Sequence, residues 1–287
     1  MLSICFTNKA LSQLNISASS GLFTQNFSWS VAGNYAGQNP NIYSELNWDK
    51  IKGQVYCIDV EYRFRKKFFV AGSSKYGGIK SGSITDADYK SDNRTDRSYY
   101  AQFSSGNSNL FNTNLSVGYV LIHKRKFILD ASLGYGYQTE SLNIRPGKED
   151  SSIITTGLNS SYAITISGPH LGMHIQYNLT EKFSIGFLVR LQLLNYDGKA
   201  DWNLATNFQH PVSFRQLATG YQLNNELRLG YVLNKNLKLF LSLENDHLKT
   251  SSGDDVLYKS SGDVFISHFN GASGNMIYGV VGLTVQK

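Results

Sequence analysis

Apolar and polar residues alternate one by one along most of this chain, and that pattern leaves little room for anything but a sheet of long strands. Over residues 221–233, Tyr221, Leu223, Leu227, Leu229, Tyr231 and Leu233 fall on one parity, with Gln222, Asn224, Glu226, Arg228 and Gly230 on the other. Side chains two apart share a face on extended backbone, whereas a helix repeats at three and four. The same code separates Phe183, Ile185, Phe187, Val189, Leu191 and Leu193 from Ser184, Gly186, Arg190 and Gln192. It recurs at Tyr56, Ile58, Val60 and Tyr62, at Phe127, Leu129, Ala131, Leu133, Tyr135 and Tyr137, and at Leu237, Leu239, Leu241 and Leu243.

The breaks in the pattern are of two kinds. Short basic or polar turns fall at Arg65-Lys66-Lys67, His123-Lys124-Arg125-Lys126, Asn178–Lys182 and Asn234-Lys235-Asn236. Between them the sequence predicts long polar connections near 33–41, 90–109, 147–160, 198–210 and 251–274. Short turns at one end and long loops at the other describe an up-and-down meander of about ten antiparallel strands. A soluble sandwich has shorter strands, usually about 5–6 residues, and buries its apolar face. The runs here are longer, and the polar parity carries Asp130, Arg190, Glu226, Arg228 and Glu244. A lumen lets those opposite charges pair, which a dry core would tolerate poorly. The expected fold is therefore all-β: a closed antiparallel up-and-down transmembrane β-barrel, apolar face to lipid, with tyrosines at the interfaces. A charged, aromatic lumen in so small a barrel should be filled by side chains, which speaks against a general pore.

Other classes fall away on composition. No window of about 18–20 residues is apolar enough for a membrane helix. The net charge of +6 is not gathered into a basic, aromatic-interleaved nucleic-acid module. Cys5 and Cys57 are the only cysteines, one in the expected leader and one in a strand, so neither a disulfide nor a thiolate metal site is expected. Residues 1–12 read as the remnant of a secretory signal, with a short apolar run at Leu2–Phe6 and a small-x-small end at Ala10-Leu11-Ser12. Residues 13–287 then form a single barrel domain. Leu2-Ser3-Ile4-Cys5 is a poor lipid-attachment site, because Ile4 stands where a small residue is needed.

Against that scaffold the stretch Ser83-Ile84-Thr85-Asp86-Ala87-Asp88-Tyr89 is the chemical candidate. Asp86 and Asp88 share a strand face, and two close carboxylates resist joint ionisation, which suits holding a water for acid/base work. Solvated turns also carry D-x-D, and Lys90-Ser91 lacks the ligand and glycine of a calcium loop. Among the histidines, His170 and His174 share the lumen parity and read as structural. His210, beside Pro211, stands where it could meet Asp201 across a hairpin, though a solvated His is the simpler reading. His247 and His268 lie near loops, and no H-x-H or H-E-x-x-H spacing suggests zinc. Asp254-Asp255 reads as loop solvation, and no G-x-S-x-G or phosphate-binding loop occurs.

The chain also resembles the omptin family, outer-membrane aspartate-dependent endoproteases on ten-stranded barrels. Ser44-Glu45-Leu46-Asn47-Trp48 is similar to the family's S-x-L-x-W, and Ile84–Tyr89 to its D-x-D followed by an aromatic. The end of the chain, from Gly274-Asn275-Met276 to Gly282-Leu283, is similar too; Gln286-Lys287 replaces the family's final aromatic, a departure in the assembly signal.

In omptins the D-x-D faces an Asp-x-His pair, and a water between them attacks the peptide. The resemblance puts Asp201 at the Asp and Asn203 at the His, within Lys199-Ala200-Asp201-Trp202-Asn203. An amide has no basic nitrogen at neutral pH, and losing a general base costs about 10²–10⁴-fold in rate. Lys199 replaces an acidic residue that helps hold a basic substrate side chain. The resemblance therefore implies an outer-membrane barrel, long loops outside the cell, with an incomplete catalytic set of Asp86, Asp88 and Asp201. Such a barrel binds polypeptide or another ligand while cleaving it weakly or not at all. The alternatives are a working aspartic endoprotease using Asn203 or His210, and a structural or adhesive barrel or envelope-complex subunit. No cofactor is expected, apart from the lipopolysaccharide that omptins require, for which Arg145 and Lys148 are candidates. Lipopolysaccharide, a polypeptide ligand and an envelope partner are the expected partners; nucleic acid is not.

Overall fold

The computed structural model describes residues 13–65, 67–147 and 156–287. The expected signal remnant, Cys5 and Lys148 lie outside the described residues.

The described chain is one ring of antiparallel strands. They are β1 (Gln13–Val31), β2 (Ser44–Phe64), β3 (Phe68–Ser91), β4 (Thr95–Ser105), β5 (Ser108–His123), β6 (Phe127–Arg145), β7 (Ser160–Asn178), β8 (Phe183–Asp201), β9 (Phe214–Asn234), β10 (Leu237–Thr250), β11 (Gly253–Tyr258) and β12 (Val264–Gln286). β4 and β5 continue each other along β3, broken only at Gly106-Asn107, and β10 and β11 do the same along β9. The twelve segments therefore make ten staves. β1 closes the ring on β12 from Asn15↔Gln286 to Val31↔Phe269. Closure leaves no sheet edge to lipid, which cannot hydrogen-bond one.

Each of the four basic or polar turns joins neighbouring staves where the sequence places it, and the apolar parity points outward near that end. Leu115 and Leu171, 64% and 63% exposed, are among the most open large apolar residues. Ile58, Leu193, Leu241 and Val281 continue the band, with Tyr62, Tyr177 and Phe183 near the short-turn rim and Tyr56, Tyr76 and Tyr221 at its upper border. This outward apolar belt is the membrane-spanning part. Inside it the charges pair: Arg63 with Asp130 at 2.8 Å and Glu61 at 2.7 Å, Arg228 with Glu226 at 2.6 Å, and Lys75 with Glu244.

Two expected connections are instead mostly strand. The stretch 90–109 holds β4 and is otherwise broken only by the Asp92–Arg94 turn and at Gly106-Asn107, and 251–274 holds β11 and the start of β12. The staves run well past the belt into water, where neither face has to be apolar, so alternation fades although the ladder continues. Ten residues separate Tyr76 from Asp86 on β3, on the order of 25 Å along the axis at a barrel's tilt.

Above the belt the parity of β2 and β3 reverses. On β2, Gly53, Val55 and Cys57 face in, but so do Leu46 and Trp48. A bulge lies between, where Lys50 takes φ 50° and the register with β3 shifts at Asp49/Lys52. One extra residue in a strand turns every later side chain to the other face. β8 shows no such shift, and its even residues from Gln192 to Ala200 stay buried throughout.

Candidate functional site

A second shift, where Lys52↔Ser81 is followed by Gly53↔Ile79 and Lys80 is the extra residue on β3, brings the aspartate pair into the barrel. Cross-strand partners share a face, and Asp86 stands in the row Trp29↔Leu46↔Asp86↔Ala101, with Asp88 in the next inward row, Val31↔Ser44↔Asp88↔Tyr99. Asp86 is only 9% exposed, above a buried Ile84. Burial, and then the charge of Asp88, push the Asp86 carboxyl up to about 8. Asp88 is also raised by burial, against which a hydrogen bond from Ser44 works. Tyr99, whose phenol is held up to about 12 by burial and by both carboxylates, completes the wall. At neutral pH Asp86 therefore keeps its proton and offers an O–H donor beside Asp88. Tyr99 falls in a stretch read from sequence as loop, so only its strand register reveals it.

Beneath this pair the lumen is closed by aromatic rings from opposite walls. Tyr162 of β7 meets Trp48 at 5.6 Å, Trp29 at 5.7 Å and Phe27 at 6.1 Å, and Phe214 meets Trp29 at 5.6 Å. The Tyr162 hydroxyl lies 2.6 Å from that of Tyr196 and donates to Gln216 at 2.5 Å, so the buried phenols are satisfied. Below the plug a cavity of about 390 Å³ holds the paired charges and reaches Gln13, His123 and Gln286 at the short-turn end. The plug separates it from the extracellular rim.

Asp201 is placed differently. Tyr162 and Ala200 face the plug, so the alternate row, Ser161↔Asp201, turns outward. Asp197 and Lys199 share this outward row; Arg215 donates to Asp197 at 2.8 Å, and Lys199 lies 3.6 Å from it. His210 does reach Asp201, with Nδ1 2.6 Å from Oδ1. Asn203 is fully engaged elsewhere. Its Oδ1 accepts from the Asn159 N–H at 2.8 Å and the Ser160 hydroxyl at 3.0 Å, and its Nδ2 donates to the Gly157 carbonyl at 2.8 Å. That amide fastens the chain entering β7. Among the described residues no hydrogen bond links Asp86 or Asp88 to Asp201, Asn203 or His210.

The remaining candidates have structural surroundings. His170 is 2% exposed, and His174 lies 3.4 Å from Asp130, both in the lumen as their parity requires. Asp255 corrects the reading of Asp254-Asp255 as loop solvation: it is buried in β11 and accepts from Gln216 at 3.2 Å and Ser267 at 3.0 Å. Only Asp254 is exposed. His247 sits beside Tyr221 and His268 beside Gly37. Arg145 donates to Asn159. No group of three or more His, Cys, Asp or Glu able to hold a metal occurs among the described residues.

A family model described as Protochlamydia outer membrane protein matches residues 19–277. The chain belongs to that family. It is accordingly a bacterial outer-membrane β-barrel, as the lipid-facing belt requires. Among solved structures, the outer membrane protease OmpT from Escherichia coli is similar at a TM-score of 0.77 and 14% identity, over 100% of this chain and 99% of that one. The outer membrane protein OprG from Pseudomonas aeruginosa aligns at a TM-score of 0.38 and 11% identity, over 95% of each chain. The likeness to OmpT is one of fold: this member of the Protochlamydia outer membrane protein family has a divergent omptin-like barrel. No curated protein sequence matches the chain.

Proposed function

We propose that this outer-membrane barrel receives an extracellular ligand, most simply polypeptide, at the rim beside Asp86, Asp88 and Tyr99, without efficient cleavage. One observation carries the reading. Asp86 and Asp88 face into the barrel, whereas Asp201 and His210 stand on the outward row. A water-activating set has to converge within about 3 Å of one reacting atom, and these residues lie on two faces of the wall. What remains at the inner rim is a protonated carboxyl, a second carboxyl and a phenol, suited to hydrogen-bonding backbone and basic groups. Lipopolysaccharide is proposed as the lipid partner around the belt.

The test is refolded protein with lipopolysaccharide and a mixed peptide library. Peptide retention weakened by Asp86→Ala/Asp88→Ala, without Asp86-dependent cleavage, is the expected result. Equal retention by parent and double variant refutes it and favours a structural or adhesive barrel. A second reading, slow endoproteolysis, draws support from the short His210–Asp201 contact, since a carboxylate on Nδ1 leaves Nε2 free as a base. It requires cleavage that both Asp86→Ala and His210→Ala abolish.

A further inference from the structure

We infer that the extracellular tip of β12 is a docking edge for an extended segment of a partner polypeptide, which adds to the barrel as an extra strand. β12 outlasts its neighbour β1: their pairing ends at Val31↔Phe269, while β12 begins at Val264. Over 264–268 its ladder partner among the described residues is β11 alone, from Tyr258↔Val264 to Asp254↔His268. The far side of β11 is taken by β9, by the Phe208↔Lys259 bridge and by bonds to Gln209 and Ser213. The open edge of this small sheet is therefore β12 itself.

Backbone direction identifies the free groups. His268 points its N–H and C=O toward the β1 side, donating to Asn34 at 3.2 Å and accepting from Ala32 at 2.9 Å. In a strand, alternate residues bond to the same side, so Ile266 and Val264 turn their N–H and C=O groups that way too. No described backbone group answers them. A row of paired donors and acceptors at strand spacing is matched by one kind of occupant, another extended backbone.

The side chains agree. Val264, Phe265 and Ile266 are 53%, 56% and 55% exposed, a run of three large apolar residues in water. Lipid does not explain them. Ile277 is the last belt residue of β12, and Ile266 lies on the order of 25–30 Å beyond it along the axis. Val264 and Ile266 lie on one face and Phe265 on the other, so an added strand would find apolar contacts on both sides. A second copy in the same membrane does not fit. A two-fold axis along the membrane normal would bring identical edges together in parallel at twice the strand tilt, about 70–90°, and no ladder forms at that angle.

The experiment uses the whole refolded barrel in detergent and a fluorescent eight-residue peptide of alternating valine and threonine with a lysine at each end. The control peptide is N-methylated at alternate residues, which removes one row of donors without changing the side chains. Ile266→Pro is the informative variant, because proline is tolerated where the N–H faces away from the ladder. The expected result is saturable binding to the parent, at least ten-fold weaker with Ile266→Pro or with the methylated peptide, and slowed amide exchange at Val264 and Ile266. Equal binding of both peptides, or by parent and Ile266→Pro, overturns the inference in favour of apolar adhesion. So does an absence of binding, or dimerisation through this edge without peptide.

Discussion

The two halves of this barrel wear their side chains in opposite senses. In the belt, Leu115, Leu171 and Leu241 face out, and Asp130, Lys75 and Glu244 face in. Above it, Trp29, Trp48, Tyr162 and Phe214 face in, while Glu45–Arg94 and Asp197–Arg215 pairs, each at 2.8 Å, decorate the outside. The same strands serve both halves, so the solvent outside the wall sets the code. Lipid demands apolar groups outside and leaves the lumen to paired charges; water permits polar groups outside and leaves the plug to rings. Extra residues near Lys50 on β2 and at Lys80 on β3 are the devices that let these two strands change sense without ending.

The largest effect is expected in the lower lumen. Asp130 is almost completely buried and is held by Arg63. Arg63→Ala leaves that charge facing His174 alone, and removing one partner of a buried pair typically costs about 3–5 kcal/mol. Urea unfolding of refolded protein, followed by the heat-modifiable gel shift of folded barrels, should show a loss of that order. A change below about 1 kcal/mol would mean that lumen water already screens the pair.

Next comes the lipid face. Leu171→Arg places a cation in the belt, where arginine costs about 2–4 kcal/mol at the midplane. The same replacement at Tyr99, on the inner wall of the upper half, should cost far less, since it would meet water and the Asp86 and Asp88 carboxyls rather than lipid. Equal losses at both positions would erase the distinction between the halves.

How much of this was readable beforehand follows the same division. Lipid enforces alternation, so the belt strands, the four short turns, the lumen sense of His170 and His174 and the ten staves all stand in the residues themselves. Above the belt that enforcement stops. β4 and β11 carry residues such as Thr95, Arg97, Asp254 and Asp255, which look like loop, and only their register shows them to be wall. The candidate site depends on a parity that the bulge reverses, so the D-x-D and Asp201 could be found but not their opposite faces. The one residue that sequence weighed lightly and the structure seats on Asp201 is His210.

The aspartate pair gives a prediction in pH. The Asp86 carboxyl sits near 8 in the folded protein, above its ordinary value near 4. Between those values the folded state holds a proton that the unfolded chain releases, so stability falls as pH rises from about 4 to about 8. The slope from one such group is at most about 1.4 kcal/mol per pH unit. Asp86→Asn should flatten the stability profile across that window and bring the parent's low-pH stability to neutral pH. An unchanged profile would mean that the carboxyl ionises freely in the folded barrel.

The smallest effects separate two polar residues of one rim. His210 and Asp201 are both partly exposed, and ion pairs of that kind contribute about 0–1 kcal/mol. His210→Ala should barely alter unfolding. Asn203→Ala removes three bonds that fasten 157–160 to the end of β8, and leaving such partners unmet costs about 1–3 kcal/mol. Its effect should therefore exceed that of His210→Ala although only Trp202 separates Asn203 from Asp201. Asn203→His should behave like the alanine variant and create no peptide cleavage, because the side chain at 203 serves the entry to β7. Cleavage gained by Asn203→His would place that position at a catalytic centre after all and remove the contrast between a structural amide and an outward Asp–His pair.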